Sequence, residues 1–242
     1  MDGRSGAENV MPEVRNVSSG DEPDVVRQDV DTSCMGACIV SLKVSIITPT
    51  WKRPKGLARS VGCVEAQTYK GPIEHLIIHD GREPLHHGKK GLSFQNERVR
   101  EWCLDENHDD VGVTPLNAGR KEATGDLIMV LGDDNEIAPE HVAELAVLFE
   151  KEPNLGFAYS FGIIKDAPTG DVICPLNAQK PAYEQIDLGQ LMIRREVDAR
   201  FGPWIYTRYA YDWDRIEKMM EAHVPFMTNM KPTFCFYRGW KE

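Results

Sequence analysis

Two short apolar runs flanking one amphipathic stretch limit this chain more than any other feature. Lys43–Pro49, Lys-Val-Ser-Ile-Ile-Thr-Pro, is rich in β-branched residues and ends at a proline, the pattern of a buried strand. Pro54 then opens a helical pattern in which Leu57, Val61 and Val64 share one face, ending near Thr68. A second strand, Ile73–His79, stops at Asp80-Gly81. Strand, helix and strand within about forty residues form a right-handed crossover. That unit builds a mostly parallel, twisted sheet covered by helices on both faces, so the chain is expected to be α/β.

The rest of the chain extends the pattern. A helix is predicted around Phe94–Leu104, a third strand at Val111–Thr114 and a short helix at Ala118–Thr124. Asp126–Leu131 reads as a strand, with Gly132-Asp133-Asp134-Asn135 as the turn after it. Pro139 starts an amphipathic helix with Val142, Leu145, Ala146, Leu148 and Phe149 on its apolar face. Phe157–Ile164 and Asp171–Cys174 read as strands joined by an Ala-Pro-Thr-Gly turn. A short strand at Gln190–Arg194, a helix at Tyr211–His223 and a closing strand at Thr233–Tyr237 complete the reading, a small β region in the second half. There is no internal repeat.

Charge and cysteine usage narrow the class. The net charge of −10 across 242 residues is unevenly spread. Residues 1–40 hold eight acidic and three basic residues, a net of −5, and read as a flexible acidic leader before one domain over 41–242. A chain this acidic has no general electrostatic grip on nucleic acid or anionic lipid. None of the six cysteines forms a C-x-x-C pair, so they are expected to be reduced and mostly buried. No apolar run nears the ~20 residues of a membrane span, and no basic start leads into an apolar stretch. The expectation is a cytoplasmic protein with no transmembrane segment.

Three polar or aromatic clusters fall at predicted strand ends: Pro49-Thr50-Trp51, Asp80-Gly81 and Asp133-Asp134-Asn135. Open α/β sheets bind ligands beyond the carboxyl ends of their strands. Adjacent carboxylates such as Asp133 and Asp134 repel each other, and a cation bridging to phosphate oxygens relieves that repulsion. The same residues also suit a plain helix-capping turn. The basic run Arg82–Lys90 suits either a phosphate contact or a solvated surface loop. His75, His79 and His141 lie in or beside regular elements and read as structural.

Order and spacing then add a resemblance. Val44-Ser45-Ile46-Ile47-Thr48-Pro49-Thr50 leads to Gln67-Thr68-Tyr69, and Leu76-Ile77-Ile78-His79 to Asp80-Gly81. Asn117-Ala118-Gly119, Ala123, Gly125-Asp126 and Leu131-Gly132-Asp133-Asp134-Asn135 follow. Ile186–Arg195 holds a Gly189-Gln190 pair before a paired arginine, and Tyr211-Asp212-Trp213-Asp214 opens the late helix. Over roughly residues 43–240 this resembles the family 2 glycosyltransferases, which have the GT-A nucleotide-sugar fold.

The resemblance implies inverting transfer from a nucleotide-diphosphate sugar, commonly UDP-linked, with Mn²⁺ or Mg²⁺. The acceptor would be the hydroxyl of a small glycan, a metabolite, a protein or a modified base. Residues 41–150 become the donor half and 151–242 the acceptor half. Pro49, Thr50, Trp51, Arg53, Asp80, Asn117, Arg120 and Asp133 are the implied donor-nucleotide residues, with Trp51 offering a stacking face. Asp134 is the implied metal ligand and Asp212 the implied general base, with Gln190 and Asp214 on the acceptor side. The chain departs from the family pattern at Gly132, where D-x-D has its first Asp, at Pro115-Leu116, where Ala-Arg is common, and at Tyr211, where Glu is usual.

Two rivals remain at this point. A nucleotidyltransferase would carry a Gly- and Arg/Lys-rich loop after the first strand, of which Thr50-Trp51-Lys52-Arg53-Pro54 is a poor version. A nucleotide-sugar-binding protein that has lost catalysis is favoured by Gly132 and the missing Ala-Arg pair, and opposed by Asp212-Trp213-Asp214.

Overall fold

The β-branched run folds as expected into a strand, β1 (Val44–Thr50), with six of its seven residues buried. In a computed structural model, residues 41–82, 98–206 and 210–239 are described. The helix α1 (Pro54–Glu65) and the strand β2 (Ile73–His79) complete the crossover, β2 pairing parallel to β1 from Val44↔Ile73 to Thr50↔His79. The remaining elements are β3 (Val99–Cys103), α2 (Val113–Glu122), β4 (Leu127–Val130), β5 (Asn135–Ile137), α3 (His141–Lys151), β6 (Phe157–Asp166), β7 (Val172–Leu176), β8 (Leu191–Arg194), α4 (Arg195–Arg200), α5 (Tyr211–Glu221) and β9 (Phe226–Arg238). Among the described residues one sheet runs β3-β2-β1-β4-β8-β6-β9-β5, with β7 paired to β6. β3, β2, β1 and β4 are parallel; β8 joins antiparallel to β4 and to β6.

Both faces of the central strands are covered, which is why these strands read as unbroken apolar runs. On one face Ile47, Ile78 and Val130 pack with Leu116 of α2 and with Ile216 and Met219 of α5. On the other, Val44, Ile46, Leu127 and Met129 pack with Val142, Leu145, Ala146 and Phe149 of α3. Burying each such side chain is worth roughly 1.5–3 kcal/mol. β2 continues from β1 on one side and β4 lies on the other, so the strand order reverses at β1 and opens a crevice at the strands' carboxyl ends.

Two elements differ from expectation. The helix predicted around Phe94–Leu104 is instead the strand β3, parallel to β2, with 94–97 outside the described residues. Glu101 misleads here: it scores as a helix former, yet its carboxylate lies 2.8 Å from Nε2 of His79, both side chains being 1% exposed. The strand predicted at Val111–Thr114 is a turn entering α2. Val111 and Gly112 take positive φ in succession, 51° and 86°, which turns the chain out of the extended conformation of a strand. Asp110 then accepts from the Thr114 N–H at 2.9 Å, starting the helix several residues before Ala118. The short elements β5 and α4 carried no sequence signal, and β9 is longer than its expected core. The four cysteines among the described residues form no disulfide and are half-buried rather than mostly buried.

Candidate active site

Thr50, His79 and Val130 end neighbouring parallel strands, so the residues after them face one crevice. Its volume is about 540 Å³. Pro49, Thr50, Trp51, Arg53, Asp80, Asp133, Asp134 and Asp212 all line it. So do Asn107, Asp109, Asp110 and Gly112, which no motif marked, and Asp187 and Tyr211, which lie inside the two later motifs without a role assigned to them.

One wall is built around Asp80, which is buried at 4% exposure. Its carboxylate accepts from Asn107 Nδ2 at 2.9 Å and the His108 N–H at 3.1 Å, and lies 2.7 Å from His108 Nδ1. The Asp80 contact raises the His108 imidazole above its ordinary value. Trp51 packs against Gly81, where a Cβ would stand only 2.7 Å from the indole ring, so any larger residue would push the ring aside. The Lys52 ammonium lies 4.5 Å from the centre of that ring.

The turn between β4 and β5 forms the floor. Asp133 accepts from the Thr50 hydroxyl at 2.7 Å and from Arg53 at 3.0 Å. The same Arg53 nitrogen reaches Asp134 at 3.1 Å. Burial pushes Asp133 up to about 6; Arg53 and the Thr50 hydroxyl pull it down, and Asp134 pushes it further up. The turn also explains Gly132. A Cβ there would lie 2.9 Å from both Asp134 Oδ1 and Asn135 Nδ2, so a side chain at the position that holds Asp in D-x-D would have to displace those two side-chain ends.

Opposite stand Asp187 and the start of α5. Asp187 accepts from the Gly189 N–H at 2.8 Å, and burial, reinforced by Asp212 and Asp134, pushes it up to about 7. Asp212 is raised by burial, with Asp214 adding to it and the Trp213 N–H, donated at 2.8 Å, opposing. Burial, then Asp212 and Asp187, raises the Tyr211 phenol. A carboxylate made more basic by desolvation, at the mouth of a crevice, is equipped to accept a proton.

Four predicted residues are not on the lining. Asn117 bonds both ways to the backbone of Trp204, at 2.8 and 2.9 Å. Arg120 donates to Asn117 and to the buried Asp198, which also accepts from the Trp204 indole at 3.1 Å. Both therefore tie α2 to the segment before α5 and hold the Tyr211–Asp212 wall in place. Gln190 is fully buried: its oxygen accepts from the Asp187 N–H at 2.7 Å and its nitrogen donates to Ser160 O at 2.8 Å. It shapes the turn that presents Asp187. Asp214 lies in the first turn of α5. Of the basic run only Arg82 is described, paired with Asp105 at 3.0 Å, and 83–90 lie outside the described residues. His75 and His141 are fully enclosed and burial lowers each to about 3, so both stay neutral.

The charge balance decides what the crevice accepts. Its described lining carries seven aspartates and one arginine. A diphosphate enters such a crevice only with cations beside it. Among the described residues no three His, Cys, Asp or Glu side chains cluster as a closed metal cage. Mg²⁺-like ions use one or two carboxylates and take their other ligands from phosphate and water. Asp134, with Asp133 behind it, fits that role.

The family model for glycosyl transferase family 2 matches residues 45–196, more than half of the chain. The chain belongs to glycosyl transferase family 2. An uncharacterized glycosyltransferase of Haemophilus influenzae is 23% identical over 207 residues, spanning 80% of this chain and 68% of that one. The uncharacterized glycosyltransferase YwdF of Bacillus subtilis is 30% identical over 105 residues. The glucosyl-dolichyl phosphate glucuronosyltransferase of Haloferax volcanii is 28% identical over 116. The matched stretches span only 37% and 36% of those last two proteins. Among solved structures, S. aureus TarS superposes with a TM-score of 0.63 at 14% identity, covering 81% of this chain and 37% of TarS. The mannosyltransferase PcManGT of Pyrobaculum calidifontis, in complex with GDP-Man and Mn²⁺, gives 0.60 at 17%, covering 83% and 58%. The fold is thus GT-A. No described helix is long and apolar enough to cross a membrane.

Proposed function

We propose that this family 2 chain transfers a sugar from a nucleoside-diphosphate donor to a hydroxyl acceptor with inversion, using Mn²⁺ or Mg²⁺. One observation carries the reading: the Trp51–Asp80 wall, the Asp133–Asp134 floor and the Asp212 wall face one crevice at the strand switch point. Trp51 and Asp80 bind the nucleoside. Asp134, backed by Asp133, holds the divalent ion, whose chemistry is to neutralise the departing diphosphate. Arg53 contacts the phosphates. Asp212 takes the proton from the acceptor hydroxyl as it attacks the anomeric carbon. UDP is the favoured nucleotide, and TarS structures bound to UDP and to UDP-GlcNAc support that choice.

Asn117, Arg120 and Gln190 act one step back, holding the segments that carry Asp212 and Asp187. Asp187 and Asp214 belong to the acceptor side. The acceptor is a hydroxyl of a small glycan, a metabolite, a protein or a modified base. A side chain at Gly132 would have to displace the ends of Asp134 and Asn135, so the departure goes with the packing of this turn and does not by itself favour the degenerate-binder alternative.

The test is nucleotide release from UDP-sugars with Mn²⁺, with and without a panel of hydroxyl acceptors. Acceptor-stimulated release that needs both Asp134 and Asp212 is expected. Release unaffected by Asp212→Asn would contradict the assignment of the base.

A further inference from the structure

Arg53 stands where a cation is not favoured. It is the residue at the N-terminal cap of α1, whose first turn has no acidic residue, and a helix N-terminus carries partial positive charge. What holds it there is across the crevice: a single guanidinium nitrogen, Nη1, lies 3.0 Å from Asp133 Oδ1 and 3.1 Å from Asp134 Oδ2. No other Lys or Arg is among the described lining residues. The Arg53 side chain is 44% exposed, so it is free to swing from one partner to another.

A divalent ion on Asp134 would sit within a few ångströms of that guanidinium, where like charges repel strongly. Resting on the donor reading above, we propose that Arg53 is an exchangeable counter-ion. It neutralises the Asp133–Asp134 pair until donor and metal arrive, then moves to the diphosphate, so that metal and nucleotide each bind well only with the other. Arg53 opposes the metal alone and assists the metal with the nucleotide. By linkage, the factor by which the nucleotide tightens the metal equals the factor by which the metal tightens the nucleotide.

Calorimetry with Mn²⁺ alone, UDP alone and both together tests this in the wild-type chain, Arg53→Gln and Arg53→Lys, with unfolding midpoints to confirm folding and GDP replacing UDP if UDP does not bind. Arg53→Gln should bind Mn²⁺ alone on the order of tenfold more tightly than wild type. It should bind UDP with Mn²⁺ on the order of tenfold more weakly, so the mutual enhancement shrinks. Arg53→Lys keeps the charge without the planar fork and should fall between. A merely structural role for Arg53 gives no gain in metal affinity. If Arg53→Gln binds Mn²⁺ alone no more tightly than a wild type that does bind nucleotide, the exchange alone is overturned. If the wild-type chain with Mn²⁺ binds neither UDP nor GDP, the exchange and the donor reading fall together.

Discussion

Asp187 offers a test in which sign and pH window both follow from the structure. Its carboxyl rises from an ordinary 3.8 to about 7, chiefly through burial and then through the charges of Asp212 and Asp134. Between roughly pH 4 and 7 the folded chain keeps a proton that the unfolded chain has released, so stability falls as pH rises through that window. Above pH 7 the folded chain carries the full penalty of an ionised Asp187. At 1.36 kcal/mol per pH unit the interval corresponds to about 4 kcal/mol. The side chain is only half-buried and water screens it, which reduces the expected penalty to about 1–2 kcal/mol. Asp187→Asn keeps the size of the side chain and the oxygen that accepts from Gly189, and it cannot ionise. Urea unfolding should therefore find Asp187→Asn more stable than wild type by about 1–2 kcal/mol at pH 8, and nearly equal at pH 4.5. In midpoint the gain at pH 8 is about 2–8 °C for a domain of this size. A variant no more stable than wild type at pH 8, or one shifted equally at both pH values, would refute the reasoning.

Other substitutions separate the roles within the crevice. Asp212→Asn should leave Mn²⁺-dependent nucleotide binding nearly intact and lower transfer by a factor on the order of 10²–10⁴, read by comparing affinity with turnover. Gly132→Asp rebuilds D-x-D but sets a Cβ 2.9 Å from two side-chain ends, so calorimetry should find nucleotide binding weakened on the order of tenfold. Its stability cost, measured by urea unfolding, should stay near the low end of overpacking, about 1 kcal/mol. Trp51→Ala should weaken every nucleotide that shares the preferred base, and unchanged affinity would remove Trp51 from the pocket.

The legible part of this molecule was the part fixed by local pattern. β1 and β2 announce themselves because strands buried on both faces need apolar β-branched runs, and Ile73–His79 matched to the residue. The same logic located Thr50, Trp51, Asp80 and Asp133, since whatever follows a central parallel strand faces the crevice. What stayed hidden depends on partners far along the chain. Glu101 joins a strand because of His79, 22 residues away. Asn117 and Arg120 look like ligand contacts in sequence, yet they bond Trp204 and Asp198, 87 and 78 residues on. Asp187 lay inside the Ile186–Arg195 motif with no role of its own; its perturbed carboxyl comes first from burial and then from Asp212 and Asp134, which only the fold brings near it.

The central claim is that one crevice binds a nucleoside diphosphate together with a divalent ion. Thermal unfolding against UDP, GDP, dTDP and CDP, each with and without Mn²⁺ and repeated with Asp134→Ala, tests it most directly. A ligand at 100 times its Kd adds about 2.7 kcal/mol, several degrees in midpoint. The account predicts a rise for one nucleotide, larger with Mn²⁺, whose metal-dependent part is lost in Asp134→Ala. No rise with any nucleotide, or the same metal-dependent rise in Asp134→Ala, would contradict it.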